Sequence, residues 1–315
     1  MRYKAKPLVI FIFLLLLIKS VYPEEKRPFK PGFSIKLMSG RGFVAIGDVN
    51  KCIESVNNNE VFEYWRKHDP NSIAGEIKTL DNWVYDWEAE MRIDLSPRFS
   101  VGIAASAPFH RSNESSLSFA LMEERDLIPQ ITAMYYRPEI KLSIPVKLNF
   151  YCSLLHGTRF NAFLNAGVGY YPGKISEYNK FVITSPSSGY SWWLSDNWEV
   201  NGKFPFGFHG GFGLEYRLIK NLSLVIDFLG KYVRISNLKG RHEHKDSHGT
   251  YIEEKGTLYY FTMWQLGIGA RYANLEVWEK PRDKGGVLRG EADIKKAVLD
   301  LSGFSLRVGV RINLF

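Results

Sequence analysis

Between Trp83 and Ser96 the chain alternates with a period of two. Trp83, Tyr85, Trp87, Ala89, Met91, Ile93 and Leu95 are apolar, while Asp86, Glu88, Glu90, Arg92, Asp94 and Ser96 fill the positions between. Successive side chains of a strand point to opposite faces. This segment therefore predicts a strand with one greasy face and one face that carries five ionisable groups. It is also long. At about 3.3 Å per residue and a tilt near 40°, it reaches across a hydrocarbon layer of about 25 Å, whereas a soluble strand usually has about five or six residues. A soluble sheet would bury the apolar face and wet the other; a membrane barrel would do the reverse.

The other strands repeat the pattern. Expected strands cover residues 33–47, 83–96, 99–109, 135–152, 159–171, 204–218, 222–235 and 299–315. The fourth alternates Ile140, Leu142, Ile144, Val146, Leu148 and Phe150 against Glu139, Lys141, Ser143, Lys147 and Asn149, with Pro145 on the polar side. Connections near Pro97, Gly157 and Asn221 are short, and the others are long. A short helix is expected near 61–67 within the first long connection. Short and long connections alternate, so all tight turns fall at one end, an asymmetry that membrane barrels have and sandwiches have no reason to show. Gly, Ser and Ala between the charges suit the narrow interior of a small barrel. The expected fold is all-β: a transmembrane antiparallel up-and-down β-barrel. Residues 257–276 also read as strand, which leaves eight strands as the preferred number and ten as the alternative.

Charges inside such a barrel must pair, because an unpaired buried ion is costly. The expected lumen network sets Asp86, Glu88, Glu90, Arg92, Asp94 and Glu215 with Lys141, Lys147, Arg217, Arg307 and Arg311. A narrow solute or ion channel with a charged lumen is the alternative to a plugged interior. An apolar lumen for hydrophobic cargo is opposed by the charges from Asp86 to Asp94.

The ends and the composition agree with export. Arg2, Lys4 and Lys6 precede an apolar run from Leu8 to Ile18, which is too short for a membrane-spanning helix. Residues 1–23 are expected to be a signal peptide, 24–32 a periplasmic lead-in and 33–315 the barrel. An uncleaved anchor is the alternative for the first segment. The formal charge is +8, and loss of Arg2, Lys4, Lys6 and Lys19 with the signal brings it to about +4, which makes no case for nucleic acid. A mean hydropathy of −0.19 excludes a helical membrane bundle. Two cysteines, Cys52 and Cys152, are too few for a disulfide framework and fall at opposite ends of the expected topology.

With its signal, amphipathic strands and terminal strand Val308–Phe315, the chain resembles the small outer-membrane β-barrel proteins of Gram-negative bacteria, the OmpA, OmpX and OmpW-like group. The resemblance implies outer-membrane lipid and lipopolysaccharide as surroundings. It also implies that Phe315 is an assembly signal read by the barrel-assembly machinery, although Phe315 falls on the polar register here. No periplasmic OmpA-type domain and no cofactor is expected.

Three further features carry candidate chemistry. His242, His244 and His248 have spacing that can gather a metal ion. Some barrels of this group are lipid A deacylases or proteases, and His244, Asp246, Ser247 and His248 supply the residue types, but catalysis needs nucleophile and base held rigidly together. The expectation is therefore no enzyme. Tyr190, Trp192, Trp193 and Trp198, with Phe181, are expected on an outer loop, where they either contact a surface partner or fold back on one another. A structural or surface-interaction role follows.

Overall fold

The structure is a computed structural model that describes residues 30–314, apart from 60–62, 64–65, 69–72, 123–128, 158, 186–188, 266–269 and 281–293. Residues 1–29, which include the expected signal peptide, and Phe315 lie outside the described residues. β1 (Gly32–Val44) climbs through the membrane tier, and α1 (Asp48–Asn57) and β2 (Ile73–Glu76) follow beyond it. β3 (Trp83–Asp94) descends and β4 (Phe99–Ser106) climbs; β5 (Phe109–Ser112), β6 (Ser115–Met122) and β7 (Pro129–Leu142) lie beyond. β8 (Val146–His156) descends, β9 (Phe160–Tyr170) climbs, and β10 (Gly173–Ser185) with β11 (Tyr190–Gly202) makes the next outer hairpin. β12 (Phe206–Ile219) descends and β13 (Leu222–Tyr232) climbs. The last outer group is β14 (Arg234–Ile235), β15 (Leu238–Asp246), β16 (Tyr251–Gln265), β17 (Ala270–Trp278), β18 (Lys295–Lys296) and β19 (Leu299–Asp300); β20 (Gly303–Asn313) then descends.

Eight strands close into an antiparallel barrel in the order β1-β20-β13-β12-β9-β8-β4-β3. The outer strands form a second, ten-stranded sheet, whose main path runs from β17 to β2. Residues 257–276 belong to that sheet, in β16 and β17, so the barrel has eight strands and not ten.

The two tiers have opposite polarity. In the membrane tier, Trp87, Met91, Phe150, Phe212 and Leu306 point outward and are exposed, while Lys36, Glu88, Glu90, Lys147 and Arg307 point inward and are buried. In the outer tier, Ile140, Leu142, Ile175, Val200, Leu238, Leu258 and Val277 point inward and pack with Val49 and Ile53 of α1 in one dry core. Val84, the apolar residue on the polar face of β3, belongs to that core. It marks the height at which the charged lumen gives way to an apolar core.

The expected fourth strand is corrected at this boundary. Its alternation runs unbroken through Ile140, Leu142, Val146 and Leu148, yet Leu142 faces the dry core and Val146 faces lipid. Ser143–Pro145 is not strand, and the ribbon turns over there. Pro145 cannot donate to a ladder, which makes it the weak point. The first long connection holds a ten-residue helix at Asp48–Asn57 that was not expected; of the expected helix at 61–67, residues 61–62 and 64–65 lie outside the described residues and 63, 66 and 67 are helical.

The outer sheet is open, and α1 fills the gap between its edges. Asn50 Oδ1 accepts from Leu80 N–H at 2.9 Å while its Nδ2 donates to Leu80 O at 2.9 Å. Seven residues on, on the same helical face, Asn57 makes the same reciprocal pair with Ile77. On the other flank Ser55 Oγ accepts from Ala273 N–H at 2.7 Å and Cys52 Sγ donates to Ala273 O at 3.2 Å. These side chains do for the sheet edges what a neighbouring strand would do. The entry to α1 is tight: Gly47 has φ +74°, and a Cβ there would meet the Asp300 nitrogen at 2.7 Å. Both cysteines are free, Cys52 in the outer tier and Cys152 near the tight-turn end.

Candidate functional site

Inside the membrane tier, the described residues bring six cations (Lys36, Arg92, Lys147, Lys231, Arg307 and Arg311) against six carboxylates (Asp86, Glu88, Glu90, Asp94, Glu215 and Asp227). Arg307 grips Asp227 with Nε and Nη2 at 2.9 and 3.0 Å and lies 3.1 Å from Glu88. Lys147 reaches Glu88 at 2.8 Å, and Lys36 reaches Glu90 at 2.6 Å. Tyr151 links two of these groups, since its hydroxyl accepts from Lys36 and donates to Glu90, each at 2.7 Å. Toward the tight turns, Arg311 spans Asp94 at 2.7 Å and Glu215 at 3.2 Å. Arg92 stacks over the Tyr151 ring at 4.2 Å and donates to Ser100 at 2.9 Å. Small residues make room: a Cβ on Gly102 would overlap the Glu90 carboxylate. Equal opposite charges in a narrow, crowded tube make a zipper of mutual partners, which offsets the desolvation of each ion.

Of the expected lumen residues, Asp86, Glu88, Glu90, Arg92, Asp94, Lys147, Glu215, Arg307 and Arg311 converge here. Lys141 does not. The reversal at Pro145 sends it to the outer face of β7, where it pairs with Glu139 at 2.6 Å. Arg217 is exposed and lines a small cleft at the tight-turn mouth. Lys36, Asp227 and Lys231 were missed, although each lies in register with the inward row. Alternation in β1 and β13 was the signal that could have found them.

Above the dry core the outer tier has a second polar group. Asp196 Oδ1 lies 3.1 Å from His242 Nε2 and 2.8 Å from His244 Nδ1, and Glu276 approaches His242 Nδ1 at 3.9 Å. Burial opposes ionisation of both His242 and Asp196, but their contact raises the histidine and lowers the carboxylate. Nearby Glu177 is buried and accepts from the Tyr136 hydroxyl at 2.5 Å. Burial pushes its carboxyl up to about 8, so it is protonated at neutral pH. The unfolded chain releases this proton near pH 4.5, whereas the folded one keeps it until about 8. The outer tier is thus expected to lose stability as pH rises across that window and to level off above it. His242, raised in the fold, adds in the same direction. Denaturation followed by tryptophan fluorescence at pH 5 and pH 8 tests this, and Glu177→Gln should flatten most of the slope; an equal slope in the variant refutes the assignment.

The proposed metal trio is not assembled. His248 lies in the turn beyond β15, exposed, and among the described residues no three His, Cys, Asp or Glu are grouped to hold a metal. Asp246 and Ser247 serve the turn and its neighbour: Asp246 accepts from the backbone of His248 and Thr250 at 2.9 and 3.0 Å, and Ser247 Oγ accepts from Trp193 N–H. The expected loop aromatics occupy a strand, β11. Tyr190 is exposed at the hairpin tip, Trp192 and Trp193 are half-buried, and Lys180 lies over the Trp193 ring at 5.3 Å. Trp198 is buried at the base of the hairpin in the dry core and is not a surface residue.

A closed eight-stranded barrel with an apolar outer band, a charged interior, tight turns at one end and long structured excursions at the other is an integral outer-membrane β-barrel. No protein-family model and no curated protein matches the sequence. Among solved structures the chain is similar to a major outer membrane protein from Thermus thermophilus, with 12% identity, a TM-score of 0.34, and coverage of 91% of this chain and 100% of that one. It is similar also to the outer membrane protein OprG from Pseudomonas aeruginosa, at 10% identity and TM-score 0.34, covering 90% of this chain and 95% of that one. A third is the outer membrane protease OmpT from Escherichia coli, at 9% identity and TM-score 0.26, covering 94% of this chain and 100% of that one.

Proposed function

We propose that this barrel is a non-conducting membrane platform that carries a folded outer tier for structural or surface-interaction roles, without an enzymatic activity. The observation that carries this reading is the double seal. A solute would have to break the lumen ion pairs and then cross a dry core anchored by α1. Separating these buried pairs strands ions in a crowded interior at a cost of several kcal/mol, which keeps the closed arrangement dominant. The β10–β11 hairpin, with Tyr190 and Trp193 toward its tip, is the surface this platform offers to a partner. In planar bilayers the purified chain is expected to give no stepwise conductance at about 100 mV, a field worth roughly 2.3 kcal/mol per elementary charge. Reproducible steps that change size when Lys147→Glu is introduced would replace this reading with a channel through the lumen.

A further inference from the structure

The lumen zipper runs out of acid at its tight-turn end. In its last layer Arg92 and Arg311 meet Asp94 and Glu215, two charges against two. One step further out stand Arg159, just before β9, and Arg217 on β12. They face each other across the two strands, since Arg217 N–H donates to Arg159 O at 2.8 Å. Both continue the inward rows of Asn161 and Glu215, while Phe160 and Tyr216 beside them point outward and are exposed. The two guanidiniums therefore belong to the mouth of the lumen and not to the lipid-facing wall. Neither has a carboxylate partner among the described residues, and the tight turns supply none, because residues 95–99, 156–160 and 217–222 contain no Asp or Glu. Like charges directly opposite each other in a sheet are destabilising. The Arg159–Arg217 pair is a standing cost that a bound anion would relieve.

A cleft of about 160 Å³ opens at this pair, walled also by Asp94, Asn161, Arg311 and Asn313. It is well below the roughly 300–1,000 Å³ of a pocket for a drug-sized ligand, so it suits a single terminal group. Guanidinium forks match the two oxygens of a carboxylate. A phosphate, with its larger charge, would be repelled by Asp94 in the same wall. The Asn161 amide oxygen accepts from no group among the described residues, which leaves it for an N–H next to the carboxylate. A carboxylate with an N–H close by is what the end of a peptide offers.

We propose that the tight-turn mouth of the barrel binds the C-terminal carboxylate of a periplasmic peptide or protein, with Arg159 and Arg217 on the carboxylate and Asn161 on the last peptide N–H. This site lies at the opposite end of the molecule from the β10–β11 hairpin and is independent of whatever that hairpin contacts. The test uses the full chain in uncharged micelles and tetra-alanine labelled at its N-terminus, once as the free acid and once as the C-terminal amide, read by fluorescence anisotropy. The acid is expected to bind roughly tenfold or more tightly than the amide, the scale of one charge-assisted hydrogen bond. R159Q/R217Q should erase that preference while its thermal midpoint holds or rises, since two opposed like charges are gone; this separates lost binding from misfolding. N161A should weaken the acid several-fold. K220Q, on the same rim but outside the cleft, should change nothing. Equal binding of acid and amide, a preference retained in R159Q/R217Q, no loss in N161A, an equal loss in K220Q, or displacement by millimolar inorganic phosphate overturns the proposal.

Discussion

Replacing Arg307 with methionine is expected to lower the stability of the barrel by roughly 3–5 kcal/mol. Arg307 is among the largest fully buried side chains, and its guanidinium is the two-point partner of Asp227. Without it Asp227 keeps, among the described residues, Lys36 at 3.9 Å, while Glu88 keeps Lys147. The loss is therefore felt mainly at Asp227. The urea midpoint of the protein in micelles reads the effect. Removing both partners, as in Asp227→Leu with Arg307→Met, should recover most of it, because a pair exchanged for apolar groups no longer strands an ion. A single-variant shift below about 1 kcal/mol would mean that water reaches Asp227 and that the lumen is not the dry zipper described.

Asn50→Ala is expected to act on the other tier. It strips the Leu80 N–H and C=O of their partners in a buried setting and takes a donor from Asn82. Each orphaned buried group costs about 1–3 kcal/mol, so the two Leu80 groups together give roughly 2–6 kcal/mol. That loss should register as local opening, not as melting of the whole barrel. Hydrogen exchange should quicken at Leu80 and, across the helix, at Ala273, while the membrane strands stay protected. Unchanged protection at Ala273 would show that α1 does not couple the two edges.

The barrel was legible in the chain because its cause is local. A period of two with lipid on one side leaves its mark on every strand, and short connections alternating with long ones orient the whole. The ion zipper was half legible. Asp86 to Asp94 announce it, but Lys36 and Asp227 sit alone among apolar residues and gain meaning only when the register brings β1, β3, β13 and β20 together. The fate of Lys141 was hidden because alternation continues in perfect phase through a point where the ribbon turns over. Periodicity records which residues share a face, and it is silent on which way that face points. The outer tier was the least legible part. Its strands rely on non-local pairing, and α1 is recognised as a closing piece only beside a distant edge, as in the Ser55–Ala273 contact with its sequence separation of 218.

The position of α1 has a consequence for assembly. It leaves the ribosome just after the first strand, yet its docking partners include Ala273 and Val298, which lie shortly before the last one. The lid therefore cannot be seated until nearly the whole polypeptide has been delivered. Zipping of the first strand to the last and seating of the lid fall at the same late moment, and such long-range closure is slow. A chain interrupted before that moment leaves its greasy cap unfinished and its edges bare, a visible flaw by which an incomplete molecule differs from a finished one.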